Sequence, residues 1–430
     1  MQAAANSGVS PTTPEDFRPG ARFGGFSWRE VFLLALVSVL AWVAITVNLS
    51  DYFAQEGTPE GARQALTWSR KHPGALIDLA LEPAASDNIL AYKRLRDAAA
   101  AQPAEGRLYA ALAQYADAQK ASELAIKAMQ QAVELAPQRT DVRLTAWQFW
   151  LRKNDPVSAL QAANVILNRN PELGEKLFPL FLRLMAHPRS DEAFASLLRS
   201  PIRWWPAFFQ FVSYQAPNAD VLRVLYSMQL QGPNPVEETQ LRIYLTRLQN
   251  DGHWLDAYLI WLDSLPKEAL AFDSELHNGG FEYATRNLGF EWIDQPVQGV
   301  LVGFDPTYGT TGARALHVVF QGLPAYWRHF NQYLMLPPGE YGLRGRARVD
   351  SLKAERGVQW TMTCFGKAEP LASTERYKGS AEWSHFVVAF TVPESGCDVQ
   401  DLRLELVGKA ALDFVAEGQI WFDDLAITRK

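Results

Sequence analysis

Residues 31–49 read VFLLALVSVLAWVAITVNL, a run without a charged residue, Pro or Gly. At about 1.5 Å of rise per residue, a helix of this length reaches across a hydrocarbon layer roughly 30 Å thick. A buried soluble helix would instead show a polar stripe. A cleaved signal peptide would have an apolar core of about 7–15 residues behind a short basic leader. Here the leader is long, and the exit TVNLSDYF offers no small-x-small cleavage site. Arg18, Arg22 and Arg29 precede the run, whereas Asp51, Glu56 and Glu60 follow it before the first base, Arg63. Positive charge stays on the cytoplasmic side, which puts the N-terminus inside and the bulk of the chain outside. The span from Val31 to Leu49 therefore predicts a transmembrane helix over 28–50, with Trp28 and Trp42 toward the interfaces. Residues 1–27, with Pro11, Pro14, Pro19, Gly20, Gly24 and Gly25, read as a disordered cytoplasmic tail.

The rest of the 430 residues is long enough for more than one domain. A formal charge of −6 argues against a nucleic-acid partner, whose binder would be basic. The two cysteines, Cys364 and Cys397, are expected to form a disulfide if the chain faces an oxidising compartment; two separate buried thiols are the other reading.

Residues 51–270 have helical texture, rich in Ala, Leu, Gln, Glu and Arg with apolar residues at three-to-four spacing. Pro103, Pro137 and Pro171 stand 34 apart (137−103 and 171−137), each closing a helical stretch. Ala91, Ala125 and Ala159 lie twelve before each Pro; Ala98, Ala132 and Ile166 lie five before. Small residues let two helices approach closely, and Pro ends the second where its missing N–H is harmless. This stretch resembles the tetratricopeptide repeat, whose period is 34. The resemblance is clear from Leu90 to Pro171 and fades beyond, although NDGHWLDAYLIWLDSLP, ending at Pro266, predicts another helix–turn–helix. Between them SPIRWWPAFFQFVSYQ (200–215) reads first as inter-helix core and second as a partner groove.

At about Leu270 period-2 alternation takes over. Leu316, Val318 and Phe320 alternate in GARALHVVF, as do Val358, Trp360, Met362 and Cys364 in GVQWTMTCF, Phe386 to Val392 in WSHFVVAFTVP, and Leu402, Leu404 and Leu406 in DLRLELV. Short half-buried strands punctuated by Gly and Pro predict an antiparallel β-sandwich over 271–430. The fold class is thus multidomain α plus β: a transmembrane helix, a helical solenoid and a sandwich.

The order NGGFE (278–282), Trp292, GARALHV, Gln332 then PPGEY, Trp383 with FTVP, and a final IWFDDLAI resembles a galactose-binding-like jelly roll of the carbohydrate-binding-module kind, over Leu276 to Thr428. The resemblance implies a structural calcium ion joining the first loop to the last strand, held by Glu282 and Asp423, with Asp424 beside it. A solvated or salt-bridged carboxylate pair, with Arg286 or Arg314 as partner, is the other reading. It also implies glycan binding on an exposed sheet face, where rings stack on sugars and planar polar groups bond hydroxyls. If Leu334 and Leu336 point inward, Trp327, His329, Asn331 and Tyr333 point outward, next to Tyr326. Arg344, Arg346 and Arg348 form a second outward stripe, which would favour an acidic polysaccharide. Taken singly, each of these residues reads first as part of an ordinary solvated face, and the face as a whole could instead be a docking surface for the helices or another protein.

Catalytic motifs are missing from the sequence: it has no phosphate-cradling GxxxxGK[ST], no HExxH and no GxSxG. A glycosidase drawing two carboxylates from separate strands remains a competing reading. The expectation is a non-enzymatic scaffold in a bacterial inner membrane, with its bulk periplasmic. Its helical repeats would recruit polysaccharide machinery, and its sandwich would contact glycan during surface or exopolysaccharide synthesis or export. A protein-only envelope assembly factor is the alternative.

Overall fold

The computed structural model describes residues 28–80, 88–233, 235–267 and 275–430. The expected tail over 1–27 and the expected boundary near residue 270 lie outside them. The chain divides into two compact units, Met1–Arg152 and Lys153–Lys430. The later helices therefore share a unit with the strands.

The first unit begins with α1 (Trp28–Ala54), 27 residues long and, by length and composition, apolar enough to cross a membrane. Along Val31–Val47 its apolar side chains are exposed. Its last turn behaves differently. Ser50 is buried and its hydroxyl donates to the Ala65 carbonyl at 2.9 Å. That carbonyl lies in α2 (Pro59–Trp68), which starts with the Thr58 hydroxyl accepting the Gly61 N–H and with Pro at its first position, both favourable at a helix start. Phe53 and Ala54 pack against Ala62, Ala65 and Ala75, the last in α3 (Pro73–Ala80). Then follow α4 (Asn88–Ala101), α5 (Gly106–Ala118), α6 (Ser122–Leu135) and α7 (Thr140–Arg152).

The second unit opens with α8 (Pro156–Arg169), α9 (Gly174–Leu184) and α10 (Ser190–Leu197). Helix starts recur every 34 residues, at 106, 140 and 174 and again at 122, 156 and 190. Pro103, Pro137 and Pro171 each fall two residues past a helix end, at 101, 135 and 169. Ala91, Ala98, Ala125, Ala132, Ala159 and Ile166 are all buried, as close helix packing requires. Gly106 shows how tight the fit is: a Cβ there would strike Ala136 and the Ala132 carbonyl. The pattern continues through α11 (Trp205–Gln215), α12 (Asp220–Gln231), α13 (Glu238–Asn250) and α14 (Trp254–Asp263). The step shrinks to 31 and 30 (205−174 and 220−190), then returns to 33 and 34 (238−205 and 254−220).

The aromatic stretch around α11 is core. Trp204, Trp205, Phe208 and Phe209 are buried, and the first three meet Phe178, Phe181 and Phe194 of the preceding helices. The Trp205 indole donates to Gln229 at 2.8 Å, and Gln229 and Gln240 bond each other, so α11, α12 and α13 share one satisfied buried polar cluster.

The strands form two five-stranded antiparallel sheets. The first contains β1 (Ile293–Asp294), β4 (Phe330–Leu334), β9 (Gln400–Leu406), β6 (Val358–Cys364) and β7 (Pro370–Ser373), in that spatial order. The second contains β2 (Val300–Asp305), β3 (Ala315–Pro324), β10 (Val415–Arg429), β5 (Gly339–Ala354) and β8 (Gly379–Val392). The alternating apolar residues read from the sequence meet between the sheets, around Trp292, Phe330, Trp360 and Phe422. Cys364 and Cys397 are disulfide-bonded, tying the end of β6 to the approach to β9. Closing a loop of 33 residues this way stabilises the fold by about 3–4 kcal/mol.

α13 and α14 pack directly on the sandwich. Arg242 donates to the carbonyls of Arg286 and Asn287, and Gln249 to that of Gly289. Trp254 meets Phe365 and Tyr333 at 4.7 and 5.3 Å between ring centres. Trp261 meets His277 at 5.3 Å and Phe290 at 5.6 Å. This aromatic seam is the physical reason the later helices and the strands form one unit.

Candidate functional site on the sandwich

In the second sheet, Leu316, Val318, Ile420, Phe422, Ala347 and Val349 enter the core, so the residues between them face outward. Strand register then puts His317, Trp421 and Arg348 in one row, Trp421 being the cross-strand partner of both others. The His317 and Trp421 rings stack at 3.6 Å, 5° from parallel. The Arg348 guanidinium carbon lies 4.9 Å from the Trp421 ring centre, 4.2 Å from Tyr308 and 5.6 Å from Trp383. A hydrogen-bonded chain braces the row across β2, β3, β10 and β5. Asp305 meets His317 Nδ1 at 2.8 Å, His317 Nε2 meets Gln419 Oε1 at 2.7 Å, and Gln419 donates to Asp350 at 2.9 Å. The imidazole cannot turn without breaking two of these bonds.

Arg348 is 7% exposed, and its Nε and Nη1 have no hydrogen-bond partner among the described residues. An unsatisfied buried donor costs about 1–3 kcal/mol. A cation over an aromatic face recovers about 0.5–2 kcal/mol. With two such donors and three rings the two totals are of similar size, and the guanidinium retains hydrogen-bonding capacity that no described residue uses.

Tyr308 reaches Arg348 from the loop 306–314 between β2 and β3, and this loop is held from several sides. Glu282 accepts the N–H groups of Ala313 and Arg314, at 3.0 and 3.2 Å. Asp423 accepts the Thr311 N–H at 3.0 Å, and Asp424 accepts the Thr311 hydroxyl at 2.6 Å. Arg346 donates to the Gly309 carbonyl and to Asp423, both at 2.9 Å, and pairs with Asp424 at 2.7 Å. Trp383 donates to the Tyr308 carbonyl at 2.8 Å, and the Tyr308 hydroxyl to Glu382 at 3.1 Å. Gly312 permits the Glu282 contact, since a Cβ there would overlap the carboxylate.

Glu282 and Asp423, expected as calcium ligands, thus grip the same loop, but through N–H donors. The Arg346 guanidinium pairs with both Asp423 and Asp424. Burial pushes the Asp423 carboxyl above its ordinary value, opposed by the N–H groups of Thr311 and Asp424. Among the described residues no group of three or more His, Cys, Asp or Glu stands ready to hold a metal. Calcium takes six to eight oxygens, and in this arrangement Glu282 and Asp423 are engaged by N–H groups and Arg346.

The residues expected to form one glycan face are divided. Trp327 is a correction: it is 1% exposed, packed edge-on against Phe320 in the core. The alternation extrapolated back from Leu334 fails there because β4 begins only at Phe330. Asn331 and Tyr333 do point away from the core, but Asn331 donates to Asp401 at 2.9 Å and Tyr333 lies against Trp254 of α14. His329 is half-buried, and its carbonyl accepts the Gln295 N–H. Tyr326 is exposed, with Phe414 and Arg328 beside it. Arg344 and Arg346 lie on the other sheet, Arg344 exposed and Arg346 committed to the loop. Tyr308, His317, Gln419 and Trp421 are not singled out in the sequence, and Trp383 enters there only as a mark of the fold. Their signal was present: His317 sits between Leu316 and Val318, and Trp421 between Ile420 and Phe422, each large and polar-edged on the non-core side.

No family model matches the chain, and no curated protein matches it. Among solved structures it is similar to a CBM4 structure, with 19% identity over 36% of this chain and 99% of that one, at a TM-score of 0.28. It is also similar to TmCBM61 in complex with beta-1,4-galactotriose, with 13% identity over 37% and 100% of the two chains and a TM-score of 0.26. A third likeness is to the Stig cyclase Fisc from Fischerella sp. TAU, with 15% identity over 36% and 96% and a TM-score of 0.25. What those proteins bind or make is a property of those proteins.

Proposed function

We propose that this chain is a non-enzymatic, membrane-anchored scaffold whose sandwich binds glycan on the outer face of the β2-β3-β10-β5-β8 sheet. The observation that carries the reading is the braced row His317–Trp421–Arg348 under the pinned Tyr308 loop. Tyr308 is exposed and Trp383 half-buried, while Trp421 and Arg348 are each 7% exposed; rings and planar donors held in this way suit sugars, which offer apolar faces and hydroxyls. α1 is the inner-membrane anchor, and the bulk of the chain is periplasmic. The 34-residue helical pattern acts as a tetratricopeptide-like scaffold that recruits proteins of surface or exopolysaccharide synthesis or export.

The test is affinity electrophoresis of the full chain in detergent against a panel of neutral and acidic polysaccharides. Retardation by at least one member is expected, weakened by Trp421→Ala and unchanged by Tyr326→Ala on the other sheet. If no polysaccharide retards the protein, or if Tyr326→Ala is the variant that loses binding, the reading fails. The covered Tyr333 face supports a second reading, a protein-only assembly factor, because that side of the sandwich already serves as a docking surface for α14.

A further inference from the structure

We infer that the ligand residue taken at Arg348 carries a carboxylate, so that the glycan is a uronate-containing one; this rests on the glycan reading above and adds the charge. Arg348 is the starting point. It is buried, and Nε and Nη1 lack acceptors among the described residues. The carboxylates around it are each engaged elsewhere: Asp305 with His317, Asp350 with Gln419, Glu382 with Tyr308, and Asp423 and Asp424 with Arg346. Arg346, two residues along the same strand, shows what the fold does with a guanidinium whose role is structural, since it has two carboxylates and a carbonyl. Arg348 has rings in place of acceptors. A desolvated guanidinium between rings is matched by a planar acceptor, and carboxylate fits its fork better than a lone hydroxyl does.

The cover can be exchanged. The Tyr308 ring centre lies 4.2 Å from the guanidinium carbon, nearer than either tryptophan ring. Tyr308 itself is 61% exposed, and its ring is held at the tip by one bond to Glu382. Behind the guanidinium, Trp421 is fixed by His317. A carboxylate therefore enters on the Tyr308 side, takes the place of that ring, and meets a cation already held in position from behind.

The experiment compares three acidic polymers (polygalacturonate, alginate and hyaluronate) with their carboxyl-reduced forms, on the full chain in detergent, by affinity electrophoresis and calorimetry. At least one acid is expected to bind at least tenfold more tightly than its reduced form. Arg348→Met should bring the acid down to the level of the reduced polymer, and Arg348→Lys, which keeps charge and bulk, should lie between. Tyr326→Ala, on the other sheet, should keep the acid preference, and rising salt should weaken the acid alone. Equal affinity for acid and reduced polymer, or undiminished acid binding by Arg348→Met, overturns the charge assignment and leaves the glycan reading standing. Binding to neither form of any polymer overturns both.

Discussion

The two outer faces of the sandwich are built from the same kind of strands and have opposite fates. On the first sheet, polar residues bond one another: Glu405 takes Thr361, Arg403 and Arg328, and Asp401 takes Asn331 and Arg403. Its aromatics, Tyr333 and Phe365, lie against Trp254 of α14. On the second sheet the aromatics surround a guanidinium whose Nε and Nη1 have no acceptor among the described residues. A saturated face is a structural surface, and a face with unspent donors is the one that gains from a ligand. Composition alone does not separate them, since both offer Arg, Tyr and carboxylates.

The comparison can be broken most severely at the seam. Trp261 is almost fully buried between α14 and the sandwich, so Trp261→Ala should cost about 3–5 kcal/mol and speed hydrogen exchange along α14 and residues 285–292. An unchanged melting temperature would mean that α14 does not cover the first sheet. Next comes the disulfide, which ends beside Phe365 on that same side. Reduction, or Cys397→Ser, should cost about 3–4 kcal/mol in chemical denaturation while leaving any glycan selectivity intact.

On the second sheet, Glu282→Gln weakens charge-assisted bonds to Ala313 and Arg314 and should cost about 1.5–3 kcal/mol, with faster exchange confined to 306–314. Chelation should leave the melting temperature where it was, since Arg346 and N–H donors hold the loop. A drop with EDTA restored by calcium would show that the carboxylates rearrange around the ion.

The smallest effect is expected from pH. Burial, aided by Arg286 and opposed by Glu291, holds His277 below its ordinary value of 6.5. The folded seam thus prefers the neutral ring. Its stability should be flat above about pH 6.5 and fall as pH drops through that value toward the lower folded one. His277→Gln should flatten the seam's exchange rates across this range.

Much of the fold was legible because it obeys short periods. Leu402, Leu404 and Leu406 alternate and enter the core, and Ala98, Ala132 and Ile166 repeat and enter helix interfaces. The later helices were harder to read because the step slips to 31 and 30 around the aromatic core of α11, where proline no longer marks the register. The site was legible only in part. Alternation puts Arg346 and Arg348 on the outward face of their strand, yet Trp421 and His317 come from strands about a hundred residues apart, and only cross-strand register joins them. Trp327 was misplaced because two-residue alternation ends where the strand does. Glu282 and Asp423 were correctly drawn to each other's neighbourhood, but the sequence could not show that backbone N–H groups would meet them.

Hydrogen exchange of the full chain, with and without a polysaccharide that retards it, tests the glycan face most directly. Protection is expected at 306–314 and along 346–350 and 417–423, around Tyr308, Arg348 and Trp421. Protection confined to 326–333 and 401–405, or to the helices alone, would contradict it.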